Sequence, residues 1–409
     1  LREAVQLALR QNPEVQIANL NLAQSEENRV LARSALLPQA GFQTFERVQR
    51  FNLEALLGTR FPGSPQHVGP FWMFQAGPAF SAPIFDLTLW KNWRASQETV
   101  SATAAGTLTV REQMASLVIS QYLGSLRAAA DVTAAKSRVD LAQALYQQAA
   151  DLQKAGVGTG IDTLRANVEL QNETQRLMFS QTQLETSLYA LARLLNVDTH
   201  RQLELTDQMS FFQTPQVQVE ESLNTAYANR PELKTLRYQA RALELQKQAA
   251  RDARLPTFSF NGNWGYQGLS PQTSIPAYTY TFSVDLPLIT SGRIGAETAR
   301  AELEQKKLTQ QEVDQRNVIA LQVKTAAAEL ESARHQVEVA ELGLKLAREE
   351  VAQARDRFRA GVANNVEVIQ AQDALARASD NQIAALYQYN QSRANLAYAT
   401  GQAESMYAK

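Results

Sequence analysis

Asn12-Pro13-Glu14-Val15 and Arg230-Pro231-Glu232-Leu233 decide the fold, because they mark the same point of one pattern written twice. They stand 218 residues apart, and at that offset Leu37-Pro38 falls on Leu255-Pro256. Farther on, Ala155-Gly156-Val157 recurs as Ala360-Gly361-Val362 at an offset of 205, and Pro83-Ile84 as Pro287-Leu288 at 204. The first copy therefore carries about 14 extra residues between Pro38 and Pro83, which are expected to form a loop. A repeat this long signals a duplicated architecture and not a short-period solenoid. The expected plan is a first copy over 1–205, a connecting segment over 206–218 and a second copy over 219–409. Each copy reads as helix, strand, loop, strand, very long helix, Gly-rich turn and return helix.

The longest helical signal runs over 293–358, where Leu330, Val337, Leu344, Val351 and Phe358 recur every seven residues and Ala333, Ala340, Ala347 and Ala354 fill the d positions. This is a heptad seam, and alanine at d lets two backbones approach closely. The first copy repeats it over 87–154 with Val132, Val139 and Tyr146 at a and Ala128, Ala135, Ala142 and Ala149 at d. At about 1.5 Å per residue each helix would be on the order of 90 to 100 Å long, which predicts a rod or a tube. Gly156 and Gly361 suit the left-handed position that ends a helix. Return helices are expected over 161–195 and 366–400, making two antiparallel hairpins.

Between the first helix and the long one, each copy has two period-two segments. In the second copy Phe258, Phe260, Trp264 and Tyr266 alternate with small polar residues over 257–266, and Tyr278, Tyr280, Phe282, Val284 and Leu286 do so over 278–286. The first copy is less regular, with strands expected over 40–48 and 71–80. About ten residues with aromatics on one face and Ser, Thr or Asn on the other is the pattern of a tilted outer-membrane strand. A soluble sheet with one wet face is the alternative. Four such strands cannot close on themselves, and an open edge in lipid leaves backbone groups unsatisfied, so a membrane sheet requires oligomerisation. Two copies would give eight strands and a filled interior; three give twelve and begin to leave a lumen.

Composition narrows the function. Over 409 residues, charge nearly balances at -1 and aromatics make up 8%, so no basic field is offered to nucleic acid. There are no cysteines, which excludes thiol chemistry and disulfides. His67, His200 and His335 are scattered without metal-ligand spacing, and no constellation suggests catalysis, so no catalytic residue, metal or cofactor is expected. No apolar run is long enough for a transmembrane helix. Leu1 opens the chain without a basic segment and apolar stretch, so a signal peptide, if one existed, is expected to have been removed.

The order of these parts, with Leu36-Leu37-Pro38 before a strand, Pro83-Ile84-Phe85-Asp86 and Leu286-Pro287-Leu288 ending one, and Ala-Gly-Val turns before the return helices, resembles the TolC-like outer membrane factors over essentially the whole chain. The resemblance implies a mainly α protein with β: long coiled-coil helices forming a trimeric α-barrel, plus four strands per chain in a shared twelve-stranded β-barrel. It implies a passive exit duct of a tripartite efflux pump or type I secretion system, in the Gram-negative outer membrane and extending into the periplasm. Implied partners are two further copies in a homotrimer, a periplasmic adaptor (membrane fusion) protein, an inner-membrane transporter of RND, ABC or MFS type, and the lipid bilayer. The competing reading is a soluble coiled-coil scaffold without a pore.

Site residues follow from the resemblance by alignment on Gly361. The acidic constriction falls on Glu367 and Gln370, of which only one is acidic. A ring of three Glu367 carboxylates would favour cations. Thr159 with Asp162, and Asn364 with Glu367, also fit helix capping, so either acid can be serving its own helix. Contacts that close the tips carry over to Asp162, Phe358 and Ala363, where Phe358 replaces a tyrosine and Ala363 a basic residue. A lock would then need Lys154 or Arg359. The adaptor is expected at Gly156, Val157, Gly361 and Val362, although those glycines must end their helices in any case. An extended loop over 49–70, with Phe51, Leu53, Leu56 and Leu57, is expected outside the cell, either narrowing the mouth or mobile. The segment 196–217, with Pro215, is expected near the C-terminal tail.

Overall fold

The computed structural model describes every residue except 60, 61, 64, 202, 213–216, 364 and 409, and the side chain of Leu56. Pro215 and Asn364, singled out above, thus lie outside the described residues. The elements in order are α1 (Arg2–Gln11), α2 (Pro13–Ser34), β1 (Gln39–Asn52), α3 (Leu53–Leu57), β2 (His67–Phe85), α4 (Leu87–Lys154) and α5 (Gly160–Leu195). The second copy supplies α6 (Val219–Asn229), α7 (Pro231–Asp252), β3 (Thr257–Gly268), β4 (Ile275–Asp285), α8 (Arg293–Arg359) and α9 (Asn365–Ala399), followed by α10 (Ala403–Tyr407). Among the described residues no helix is long and apolar enough to cross a membrane.

The chain forms two compact units, each drawing on both copies. One comprises Leu1–Leu20, Ala105–Lys234 and Glu312–Lys409; the other comprises Asn21–Ala104 and Thr235–Gln311.

The first unit is helical. On α8, Leu330, Ala333, Val337, Leu344, Ala347, Val351 and Ala354 are buried, so the heptad seam is the packing face. On α4, Val132, Ala135, Ala142 and Ala149 are buried, but Leu145 takes the deep position beside Tyr146, which packs only at the edge of the cluster. A core of Val5, Val15, Val118, Ile119, Tyr122 and Leu191 joins α1, α2, α4 and α5, each large aliphatic contributing about 1.5–3 kcal/mol of transfer energy. Leu203, Leu205 and Met209 from the connecting segment and Tyr407 from the tail rest on that core. Farther along the segment, the carbonyl of Phe212 accepts from the Tyr389 hydroxyl at 2.7 Å.

The opening helix of each copy, expected to be continuous, is broken. α1 ends at Gln11, capped by Asn12, and α2 starts with Pro13; α6 ends at Asn229, capped by Arg230, and α7 starts with Pro231. Proline suits a first helical position but cannot continue a helix behind it, because it lacks an N–H and its ring fills the preceding turn.

The second unit holds a four-stranded antiparallel sheet in the order β1-β2-β3-β4, so β2–β3 pairing stitches the two copies together and β1 and β4 are its edges. The 49–70 loop expectation is corrected: residues 49–52 and 67–70 belong to strands, paired out to Asn52 opposite His67. The extra length of the first copy is thus divided about equally between longer strands, where antiparallel pairing satisfies the backbone groups, and the longer 53–66 connection that carries α3. Phe260 pairs with Phe282 and Trp264 with Tyr278, which lines the rings up on one face. Trp264, Tyr266, Tyr278, Tyr280 and Phe282 are all exposed. Gly77 and Gly265 let the β2 and β3 backbones come closer than a side chain permits, since a Cβ on Gly77 would lie 2.4 Å from the Trp264 carbonyl oxygen.

Candidate functional site

Both hairpins end in the same local device. Gly156 and Gly361 adopt φ of 75° and 73°. In the first turn Val157 N–H donates to the Leu152 carbonyl at 3.1 Å and Gly156 N–H to Gln153 at 3.0 Å; in the second, Val362 N–H donates to Arg357 and Gly361 N–H to Phe358, each at 3.1 Å. These paired bonds form the Schellman motif, which closes a helix only where the next residue tolerates left-handed backbone. Val157 and Val362 then project outward, 76% and 67% exposed. Behind them Leu145, Ala149, Ala166, Val351, Ala354, Val368 and Ala371 pack together, with Phe358 and Ile369 at the edge, so the two turns are joined by one apolar cluster.

Asn365, wholly buried at the start of α9, donates from Nδ2 to the Asp162 backbone carbonyl at 3.1 Å, a hydrogen bond from one hairpin to the other. The Asp162 carboxylate is held by the Thr159 hydroxyl, and no side-chain hydrogen bond caps the backbone N–H groups at Thr159. The capping box expected there is replaced by a side-chain pair. The partner proposed for Glu367, Asn364, lies outside the described residues.

Glu367 is half-exposed and accepts from Arg357 Nε at 2.8 Å across its own turn. Gln370, one turn on, is exposed, and Ala363 is half-buried. Arg359 lies 3.9 Å from Asp356 on its own helix, and Lys154 is exposed at the end of α4. Glu367 is thus paired with Arg357 within its own hairpin. Sequence reasoning passed over Arg357 and Asn365. The signal for the first was a charge on the turn before Gly361 with an acid just after it; Asn365 carried none, because its bond depends on the neighbouring hairpin.

A pair with both members this exposed stabilises the turn by less than about 1 kcal/mol, so its effect is on local charge more than on folding. Chemically the tips offer carboxylates, guanidinium groups and protruding valines.

The model of the outer membrane efflux protein family matches residues 4–197 and 222–402, the two copies in turn. The pyoverdine export outer membrane protein OpmQ of Pseudomonas putida is 23% identical over 97% of this chain and 84% of its own. The alkaline protease secretion protein AprF of Pseudomonas aeruginosa is 22% identical over 98% of this chain and 84% of its own. The solved CmeC outer membrane channel of Campylobacter jejuni superposes with a TM-score of 0.83 at 18% identity, over 98% of this chain and 85% of that one. These relatives are channel and export proteins, not enzymes, and they disfavour a poreless soluble scaffold. The chain belongs to the outer membrane efflux protein family and is an outer-membrane exit duct.

Proposed function

We propose that the chain is one protomer of a homotrimeric conduit, whose twelve strands close a shared β-barrel in the outer membrane and whose helices continue the passage into the periplasm. The observation that carries this reading is the sheet. Its edges β1 and β4 have no partner strand among the described residues, and its aromatic face is exposed. In lipid, unpaired edges cost several kcal/mol per backbone group. Pairing β4 of one copy with β1 of the next removes them, and twelve strands are enough to leave a lumen.

At the periplasmic end, Glu367 and Gln370 line the constriction, and the turns around Gly156, Val157, Gly361 and Val362 receive a periplasmic adaptor that couples the duct to an inner-membrane transporter. Asp162, Phe358 and Ala363 belong to the contact zone between tips, with Asn365 joining the hairpins and Lys154 or Arg359 the candidates for a basic lock. Arg357 beside Glu367 partly cancels the field of the carboxylate ring. The reversal potential under a salt gradient in planar bilayers tests this. Arg357→Ala is expected to raise cation preference and Glu367→Gln to lower it. Unchanged selectivity in both would remove these residues from the constriction.

A further inference from the structure

The helical unit contains a cleft of about 600 Å³ between α4, α5, α8, α9 and the connecting segment, within the size range of small-molecule sites. Its wall is largely aliphatic, with Leu126, Leu141, Leu344, Leu375, Ile383 and Leu386. Into this apolar lining α5 places Glu169 and, one turn later, Glu173. The Glu173 side chain is 5% exposed; Oε1 accepts from Arg176, while Oε2 is fully buried without a hydrogen-bond partner. A buried carboxylate oxygen left without a donor is costly, and a ligand that supplies one recovers that energy.

The charges around the pair are unequal. Asp373 of α9 adds a third carboxylate to the lining. The Arg138 guanidinium on α4 is matched by Asp380, and Asp207 of the connecting segment by the Leu1 amine and the Tyr122 hydroxyl. Arg176, 56% exposed, and Arg348 of α8 remain against Glu169, Glu173 and Asp373. Among the described residues no group of His, Asp and Glu is disposed to hold a metal ion, and an aliphatic wall does not suit one. Gln372 Nε2 and Arg138 Nε, also buried without acceptors, belong to the same lining and can serve an acceptor atom on a ligand.

We propose that this cleft binds an organic cation, with the positive centre at the Glu169–Glu173 pair and an apolar body against the aliphatic wall. Burial, followed by the neighbouring Asp373 and Glu173 carboxylates, holds the Glu169 carboxyl above its ordinary value, so Glu169 takes up a proton more readily than a solvent-exposed glutamate as pH falls. An arriving cation favours ionised Glu169, and in the carboxylate pH range the proton it displaces leaves to solvent.

The test is calorimetric titration of the full chain in neutral-lipid nanodiscs, with protein-free discs subtracted, using tetraphenylphosphonium and its anionic isostere tetraphenylborate. The phosphonium is expected to bind at least about tenfold tighter than the borate. Its apparent heat should differ between buffers of unlike ionisation enthalpy, and its affinity should fall as pH is lowered into the carboxylate range. Glu173→Gln and Glu169→Gln should each erase the preference, and the half-exposed Glu169 position keeps the test decisive where the buried variant misfolds. Equal binding of the two ions, preference for the borate, absent proton release, or an unaffected Glu169→Gln variant would each overturn the proposal.

Discussion

At corresponding positions of the two copies, one backbone plan is held by different chemistry. At the break between the opening helices, the first copy has Asn12 and the second Arg230, both buried. Asn12 Nδ2 donates to the Leu194 carbonyl at 2.8 Å, and its Oδ1 accepts from Glu14 N–H. Arg230 Nη1 donates to the Tyr398 carbonyl at 3.1 Å, its Nε to Glu232, and its guanidinium lies 4.9 Å from the Tyr398 ring centre. Each reaches the final carbonyls of its own return helix, groups that a helix cannot satisfy internally. Duplication preserved the need for a donor at that point and left its identity free. The tips show the same freedom, Thr159 serving Asp162 in one copy and Arg357 serving Glu367 in the other.

The sharpest way to break this comparison is to truncate both donors. Arg230→Ala is expected to destabilise by about 3 kcal/mol, because it orphans carbonyls and Glu232 and empties a packed volume. Asn12→Ala should cost about 1–2 kcal/mol. Thermal unfolding in detergent reads both, and equal losses would refute unequal donors.

The two turns should respond alike. Gly156→Val and Gly361→Val each place a β-branched residue at positive φ and should cost roughly 1–3 kcal/mol, read as faster proteolysis at the turns. A loss at only one turn would mean that its partner is not constrained as described.

The smallest contrast lies at Glu26 and Glu244, which correspond at the 218-residue offset. Glu26 pairs with Arg29 on its own helix, whereas Glu244 accepts from Gln305 of α8 at 2.7 Å and from Gln248 at 3.1 Å. Those bonds, Gln305 first, hold the Glu244 carboxyl below its ordinary value. The folded state therefore binds its proton less readily than the unfolded chain. Its contribution is present above the usual glutamate range near pH 4.3 and fades as pH falls through that range. Solvent screening limits it to roughly 0.3 kcal/mol. Glu244→Gln should flatten the acid limb of a stability profile slightly, and an unchanged limb would contradict the Gln305 bond's role.

Much of this was legible because it obeys simple periods. Leu330, Val337, Leu344 and Val351 advertised the seam at every seventh residue, and Tyr278 to Val284 advertised a strand at every second. Gly156 and Gly361 marked the turns through their backbone conformation. The helix breaks were also written in the chain, since Pro13 and Pro231 can stand only at a helix start, but a continuous apolar pattern on both sides masked them. Long strands in the first copy were less visible, because Gly41, Gly69 and Gly77 interrupt the alternation and the pairing partner, not the local pattern, extends β1 to Asn52. Asn365, Arg357 and the Glu169–Glu173 cleft depend on helices meeting from distant parts of the chain, which no local period encodes.

The central claim is a duct shared among copies. Light scattering of the detergent-extracted protein, corrected for bound detergent, tests it most directly: the account predicts a protein mass near three times 45.3 kDa, and a monodisperse detergent-free monomer would contradict it.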